Sequence, residues 1–194
     1  MEFEGTLKDL GEVDSQPLID NIMACEESDW MAQQYRQNAY SVHEYTQSLV
    51  MVFCSGWPEM QVTREPAWDI LKETAVPLMH KIIGDHYPPG GTIIRAMAAK
   101  LNAGGIISPH RDSHQSFVNS HRIHIPVTTN PGVRFMIDGR PHRFTMGHAY
   151  EINNQKNHSV INNGKDDRIT FIFDYMPPSH FPKLEQADSS VQAG

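Results

Sequence analysis

The sequence predicts a mainly β protein with helices on its N-terminal side, closed as a sandwich or jelly roll. Two patterns carry this. From about Thr92 onward the chain breaks into seven or so short β-prone segments separated by Gly, Asn, Pro and Asp. Before that, two segments carry apolar residues at helical spacing. A length of 194 residues suffices for one domain with its own core. That domain is expected over residues 1–182, with 1–91 as helix-rich support and 92–176 as the β core.

In chain order, "SQPLIDNIMACEE" offers Ser15 as a cap, Pro17 in the first turn, and Leu18, Ile19, Ile22 and Met23 along one side. "SLVMVFCSGW" is β-prone and predicts a strand. "REPAWDILKETAVPLMHKIIGDHY" repeats the helical spacing with Trp68, Leu71, Leu78, Met79, Ile82 and Ile83, and Pro77 is expected to kink or divide it. The strands then follow as "GGTIIRAMAAKL", "HRIHIPVTT", "VRFMID", "HRFTM", "HAYEIN", "HSVIN" and "DRITFIFDYM". Asp138-Gly139 is a strong hairpin turn, and "INNGKDD" is another turn. The polar tail from Lys183 to Gly194 is expected to be disordered.

Composition excludes several classes. Hydrophobic content of 39% and charged content of 20% fit a soluble globular chain. No apolar run approaches the roughly 20 residues of a membrane helix. The opening "MEFEGTLKDLGEVD" is acidic, and no signal peptide is expected from it. A net charge of −7 argues against nucleic-acid partners. Cys25 and Cys54 lack metal-ligand spacing and point to free thiols in a reducing, cytoplasmic compartment.

Histidine is unevenly spread: seven of eleven fall between positions 110 and 158, where even spacing would put about three. Such clustering in a β-rich region points to metal chemistry. In "SPHRDSH", His110 and Asp112 stand two residues apart, so on a strand both would reach one ion. His158, in "NQKNHSVIN", supplies a third donor from another strand. Two imidazoles and a carboxylate on one face of an octahedral ion leave three positions open, which suits Fe(II) beside a bidentate cosubstrate. Ten residues after His158 comes Arg168, at the head of an apolar strand. A buried guanidinium needs a partner, and its fork matches a carboxylate. The pattern therefore pairs a metal triad with an anchor for a dicarboxylate. His114, His121 and His148 read as solvent-facing side chains, with the pocket mouth as the alternative, and Lys100, beside Met97, as a strand-edge charge. Tyr40, Tyr45 and Trp57 read as core packing, with a substrate-side wall as the alternative.

These motifs resemble the double-stranded β-helix oxygenases that use Fe(II) and 2-oxoglutarate. Within that superfamily, "PHRDSHQSFVNSHRIHIPV" resembles the aspartyl/asparaginyl β-hydroxylase branch, with its proline-histidine entry and its "R-x-H" strand, here Arg122 and His124. The resemblance covers about Ile94 to Met176. It implies a cupin-like double-stranded β-helix. It implies iron on His110, Asp112 and His158, although some members of the branch lack the acid. Arg168 would hold the far carboxylate of 2-oxoglutarate, and Arg122 and His124 would help hold that cosubstrate near the metal. The implied reaction consumes O2 and hydroxylates an unactivated C–H bond of an amino acid, a peptide or protein Asp/Asn residue, or another small metabolite, with release of succinate and CO2. The chain shows no membrane anchor, helical-repeat region or cysteine framework of the larger members, which counts against a disulfide-rich protein substrate. Two other readings use the same residues. A non-catalytic cupin-like module could hold a metal or small acid, and a zinc hydrolase could use the triad around a metal-bound water. The first does not need Arg168 in an iron-bound cosubstrate pose, and the second gives it no task.

Overall fold

Alternation along the strands decides the architecture. In β11, Arg168–Met176, the residues Ile169, Phe171, Phe173 and Tyr175 take one face and Arg168, Thr170, Ile172 and Asp174 the other. Nearly every residue of this strand is buried, so both faces are covered. A computed structural model describes residues 3–32 and 46–182 and shows what covers them.

Two antiparallel sheets face one another, as in a jelly roll. The larger contains β1 (Leu7–Glu12), β2 (Thr46–Ser55), β3 (Gln61–Arg64), β4 (Thr92–Leu101), β6 (His121–Thr128), β9 (His148–Ile152) and β11. Its order is β1-β9-β6-β11-β4-β2-β3. The smaller holds β5 (Ile106–His110), β7 (Val133–Ile137), β8 (Arg140–His142) and β10 (His158–Asn162), in the order β5-β10-β7-β8. Four helices complete the described fold: α1 (Gln16–Met23), α2 (Glu27–Met31), α3 (Ala67–His86) and the single turn α4 (Gln115–Val118).

The main apolar core lies outside the larger sheet. Leu49, Met51, Ala98, Ile123, Ile125, Phe171 and Phe173 pack there against Leu18 and Ile22 of α1 and Leu71, Leu78, Met79 and Ile82 of α3. Each of these side chains larger than alanine contributes roughly 1.5–3 kcal/mol on burial. Between the sheets the apolar cluster is small: Leu101, Phe135, Ile137, Ile152 and Val160. The rest of that interior is polar, and it holds the residues singled out in the sequence.

Several elements depart from expectation. Pro77 does not divide its helix, because α3 runs unbroken from Ala67 to His86 with Leu71, Ala75, Leu78 and Met79 buried on either side of it. Packing outweighs the one missing hydrogen bond. In α1, Ser15 occupies the cap position without a side-chain hydrogen bond, and Met23 points outward. The first 91 residues do more than support the core, since they supply β1, β2 and β3 to the larger sheet. The strand expected at "HRFTM" begins earlier, at Arg140. Asp138 (φ 52°) and Gly139 (φ 73°) form a two-residue turn, and Ile137 pairs directly with Arg140. Lys100 is no edge charge. Its strand β4 is central, and its Nζ lies 3.1 Å from Glu27 and 4.7 Å from the Trp30 ring centre. Tyr40, Tyr45 and the tail from Lys183 lie outside the described residues. Trp57 packs beside Cys54, Ile94 and Met176.

Candidate metal centre and the cavity beside it

The β5–β10 ladder places His110 opposite His158, with ring centres 4.4 Å apart. Asp112 lies just past the end of β5, so strand alternation does not aim it. The loop is held instead by backbone bonds: the Asp112 N–H donates to the Asn154 carbonyl (3.2 Å), and Gln155 Nε2 donates to the Asp112 carbonyl (3.1 Å). Those partners form the turn just ahead of His158. His110 Nε2 is 4.0 Å from Asp112 Oδ1, and His158 Nε2 is 4.0 Å from Asp112 Oδ2. One donor atom from each of the three residues falls within 4.8 Å of the others.

The donor chemistry fits a divalent ion. His110 Nδ1 lies 2.8 Å from the Ser108 carbonyl and His158 Nδ1 lies 3.0 Å from the Lys156 carbonyl. A carbonyl accepts, so each Nδ1 carries the proton and each Nε2 keeps its lone pair for a metal. Burial pushes the His158 pKa down, against the opposing pull of Asp112, and so favours the neutral ligand form.

Asp112 is itself gripped. Arg122 Nη1 donates to its Oδ2 at 2.5 Å. The same guanidinium donates from Nε and Nη2 to the two oxygens of Asp174, both at 2.8 Å. Arg122 is thus tied to a protein carboxylate on either side. Its register partner across β6–β11 is Asp174, and the fork is filled by two carboxylates. Burial would raise the Asp174 pKa, but Arg122 and Arg95 overcome it and hold the carboxyl below its usual range.

Further along the same inner face stand three polar groups with no hydrogen-bond partner among the described residues. Arg168 is buried, and its guanidinium makes no hydrogen bond or ion pair among the described residues; its centre lies 5.7 Å from the Phe135 ring. Burial alone pushes its pKa down to about 10, which leaves it charged at neutral pH. His124 is buried against the stacked Phe135 and Phe144 rings, at a steep angle to both, and neither ring nitrogen has a hydrogen-bond partner among the described residues. Burial, then the charges of Arg168 and Arg122, push its pKa well below normal, so the ring is neutral. Thr170 Oγ1 is equally unpartnered. Arg168, Thr170, Phe135, Phe144, Thr128 and Arg143 line a cavity of about 300 Å³. Thr170 and Asp174 were not singled out from sequence. Their signal was the alternation of "RITFIFDYM", which places them on the face of Arg168.

Three other histidines have local partners. His114 accepts from the Ser116 N–H at the start of α4. His121 contacts Glu151, which also accepts from Tyr87 Oη at 3.1 Å, and His148 lies 3.3 Å from Asp9. Met97 is buried.

The fold recurs in solved structures of low sequence identity. An oxidoreductase of the 2OG-Fe(II) oxygenase family from Burkholderia pseudomallei superposes with a TM-score of 0.53 at 15% identity, over 68% of this chain and 66% of that one. The nickel complex of the non-heme monooxygenase ThoJ gives 0.57 at 12% identity, over 89% and 74%. AviO1 from Streptomyces viridochromogenes Tue57 gives 0.54 at 13% identity, over 92% of both chains. Comparison by sequence with curated proteins finds no match. The sequence profile described as Aspartyl/Asparaginyl beta-hydroxylase matches residues 18–178, which include most of α1 and every strand from β2 to β11. On that match the chain belongs to the aspartyl/asparaginyl β-hydroxylase family and is an oxygenase.

Proposed function

We propose that this protein is an Fe(II)- and 2-oxoglutarate-dependent dioxygenase that hydroxylates an unactivated C–H bond and releases succinate and CO2. His110, Asp112 and His158 would hold the iron. Arg168 would pair with the far carboxylate of 2-oxoglutarate, with Thr170 and His124 as further donors along its length. Bound iron and cosubstrate together would supply the oxidising power for the C–H bond. The chain's part is to fix ligand geometry and to place the Arg168 cation where a carboxylate arrives, in a cavity walled in part by Phe135 and Phe144.

The observation that carries the reading is Arg168. A guanidinium buried without a partner is costly, and the cost is recovered when an anion arrives. The cavity beside it has room for a small dicarboxylate. The substrate we infer is small: an amino acid, an Asp or Asn residue of a peptide or protein, or a comparable metabolite. Cys25 and Cys54 are both free, and no helix among the described residues is long and apolar enough to cross a membrane. We place the protein in the cytoplasm, acting without nucleic-acid or membrane partners.

The test is succinate release from iron-loaded protein given 2-oxoglutarate, oxygen and a panel of free amino acids and short peptides. Hydroxylation is read as a gain of one oxygen by mass. Succinate tied to an oxygenated product supports the reading; iron-loaded protein that neither binds nor consumes 2-oxoglutarate overturns it.

A further inference from the structure

A chain of alternating charges crosses the interior from the larger sheet to the candidate metal centre. It begins at Arg95 on β4, whose Nη2 donates to the Cys54 carbonyl (2.9 Å) and to Ser116 Oγ (2.8 Å) and whose Nη1 lies 3.7 Å from Asp174. Asp174 binds the Arg122 fork through both oxygens, and Arg122 reaches Asp112. All four side chains are at least nine-tenths buried or close to it, with relative exposures of 6%, 1%, 11% and 10% in that order. The Phe117 ring lies against both guanidinia, 4.1 Å from Arg95 and 4.5 Å from Arg122. Ser116 and Phe117 belong to α4, which directly follows the Asp112 loop, so the chain of charges holds that loop at Asp112 and at the helix that ends it.

A buried pair of ion pairs is a poor way to gain stability, because desolvation offsets most of the attraction. Its use here is geometric. The loop gives Asp112 no strand to hold it, and its side chain would turn freely about two bonds. Arg122 removes that freedom by fixing Oδ2, while Oδ1 accepts no hydrogen bond among the described residues and stands 4.0 Å from His110 Nε2. Arg122 can do this only if its own fork is fixed, and Asp174 fixes it from the next strand.

We infer that Asp174 and Arg122 form a positioning pair that holds Asp112 in place to bind the metal. The inference rests on the metal reading above. It gives Arg122 a different task from the cosubstrate contact implied by its "R-x-H" motif.

The test is cobalt(II) affinity, measured by titration of the whole chain with folding checked by thermal melting. Asp174→Asn keeps the shape of the side chain, and Arg122→Lys keeps the charge but loses the fork. Each should weaken cobalt binding by about 10- to 100-fold and shift the visible absorption of the bound ion. If the pair acts through Asp112, the same substitutions in an Asp112→Ala background should change affinity by no more than about twofold, the limit of additivity error. A merely structural role predicts the same loss in both backgrounds, and that result overturns the inference. So does unchanged cobalt affinity in either folded variant, or a large loss of 2-oxoglutarate affinity in Arg122→Lys with cobalt affinity intact. If Asp174→Asn does not fold, the Arg122→Lys cycle decides alone. Wild-type protein that takes up no cobalt, or a His158→Ala variant that binds it equally well, overturns the metal reading and with it this inference.

Discussion

His110 and His158 face each other across the β5–β10 ladder, and each imidazole is turned the same way by a backbone carbonyl two residues upstream, Ser108 for one and Lys156 for the other. The equal offset fixes the same tautomer in both rings and leaves both Nε2 lone pairs on the side of Asp112.

It follows that removal of either histidine costs a bond that the rest of the site cannot supply. His110→Ala and His158→Ala should each abolish turnover and weaken cobalt(II) binding by more than the 10- to 100-fold typical of an outer partner. Asp112→Ala should lower affinity and activity without altering the fold. Cobalt titration together with melting curves separates ligand loss from unfolding. A His158→Ala variant with near-normal affinity contradicts the assignment.

Arg168 should show opposite effects on binding and on stability. Truncating one member of a buried charge pair costs about 2–5 kcal/mol. At about 1.4 kcal/mol per tenfold, Arg168→Ala should weaken 2-oxoglutarate binding by roughly 30- to several-thousand-fold with the metal retained. Arg168→Lys should rescue only part of this, because an ammonium lacks the fork. Without ligand, Arg168→Met should melt at a higher temperature than wild type, since it removes an unpaired buried cation. A 2-oxoglutarate titration and ligand-free melting curves check both arms.

His124 gives a pH dependence. Its folded pKa lies well below that of the unfolded chain, so below about pH 6.5 the unfolded state binds a proton that the folded state refuses. Stability of the ligand-free protein should therefore fall as pH drops from 7 to 5, with His124 contributing up to about 1.4 kcal/mol per pH unit. His124→Leu should reduce that slope and should stabilise the fold more at pH 5 than at pH 7. Urea unfolding at the two pH values measures it. A slope unchanged by the substitution means the ring takes up its proton equally in the folded and unfolded chain, and contradicts the prediction.

Asp174 acts at the other end of the scale. Its folded pKa is depressed, so its contribution is complete above the ordinary carboxylate range and is lost as pH falls through the folded value. Asp174→Asn should be less stable than wild type at pH 7, and the gap should narrow below about pH 4. Acid unfolding followed by circular dichroism checks the convergence.

How much of this was legible in the sequence follows from the range of each interaction. The triad and Arg168 could be read because they are single residues of distinctive chemistry at readable offsets on β-prone segments. The partner of Arg122 could not, because its pairing with Asp174 depends on the β6–β11 register, set by residues 52 positions apart. Strand β1 was missed because "LKDLGE" buries only Leu10 and is held by its backbone pairing with β9. Pro77 misled because local propensity says nothing of the sheet that α3 packs against. Asp112 was found for an incomplete reason: alternation brought it to notice, but loop hydrogen bonds to Asn154 and Gln155 place it.

The most direct measurement is a crystal structure with Mn(II) and a non-reacting analogue of 2-oxoglutarate, with the manganese located by its anomalous signal. The account predicts one metal peak bonded to His110 Nε2, a carboxylate oxygen of Asp112 and His158 Nε2, and the far carboxylate of the analogue paired with the Arg168 guanidinium. Manganese away from these three residues, or an analogue whose far carboxylate is held elsewhere while Arg168 stays unpaired, would contradict it.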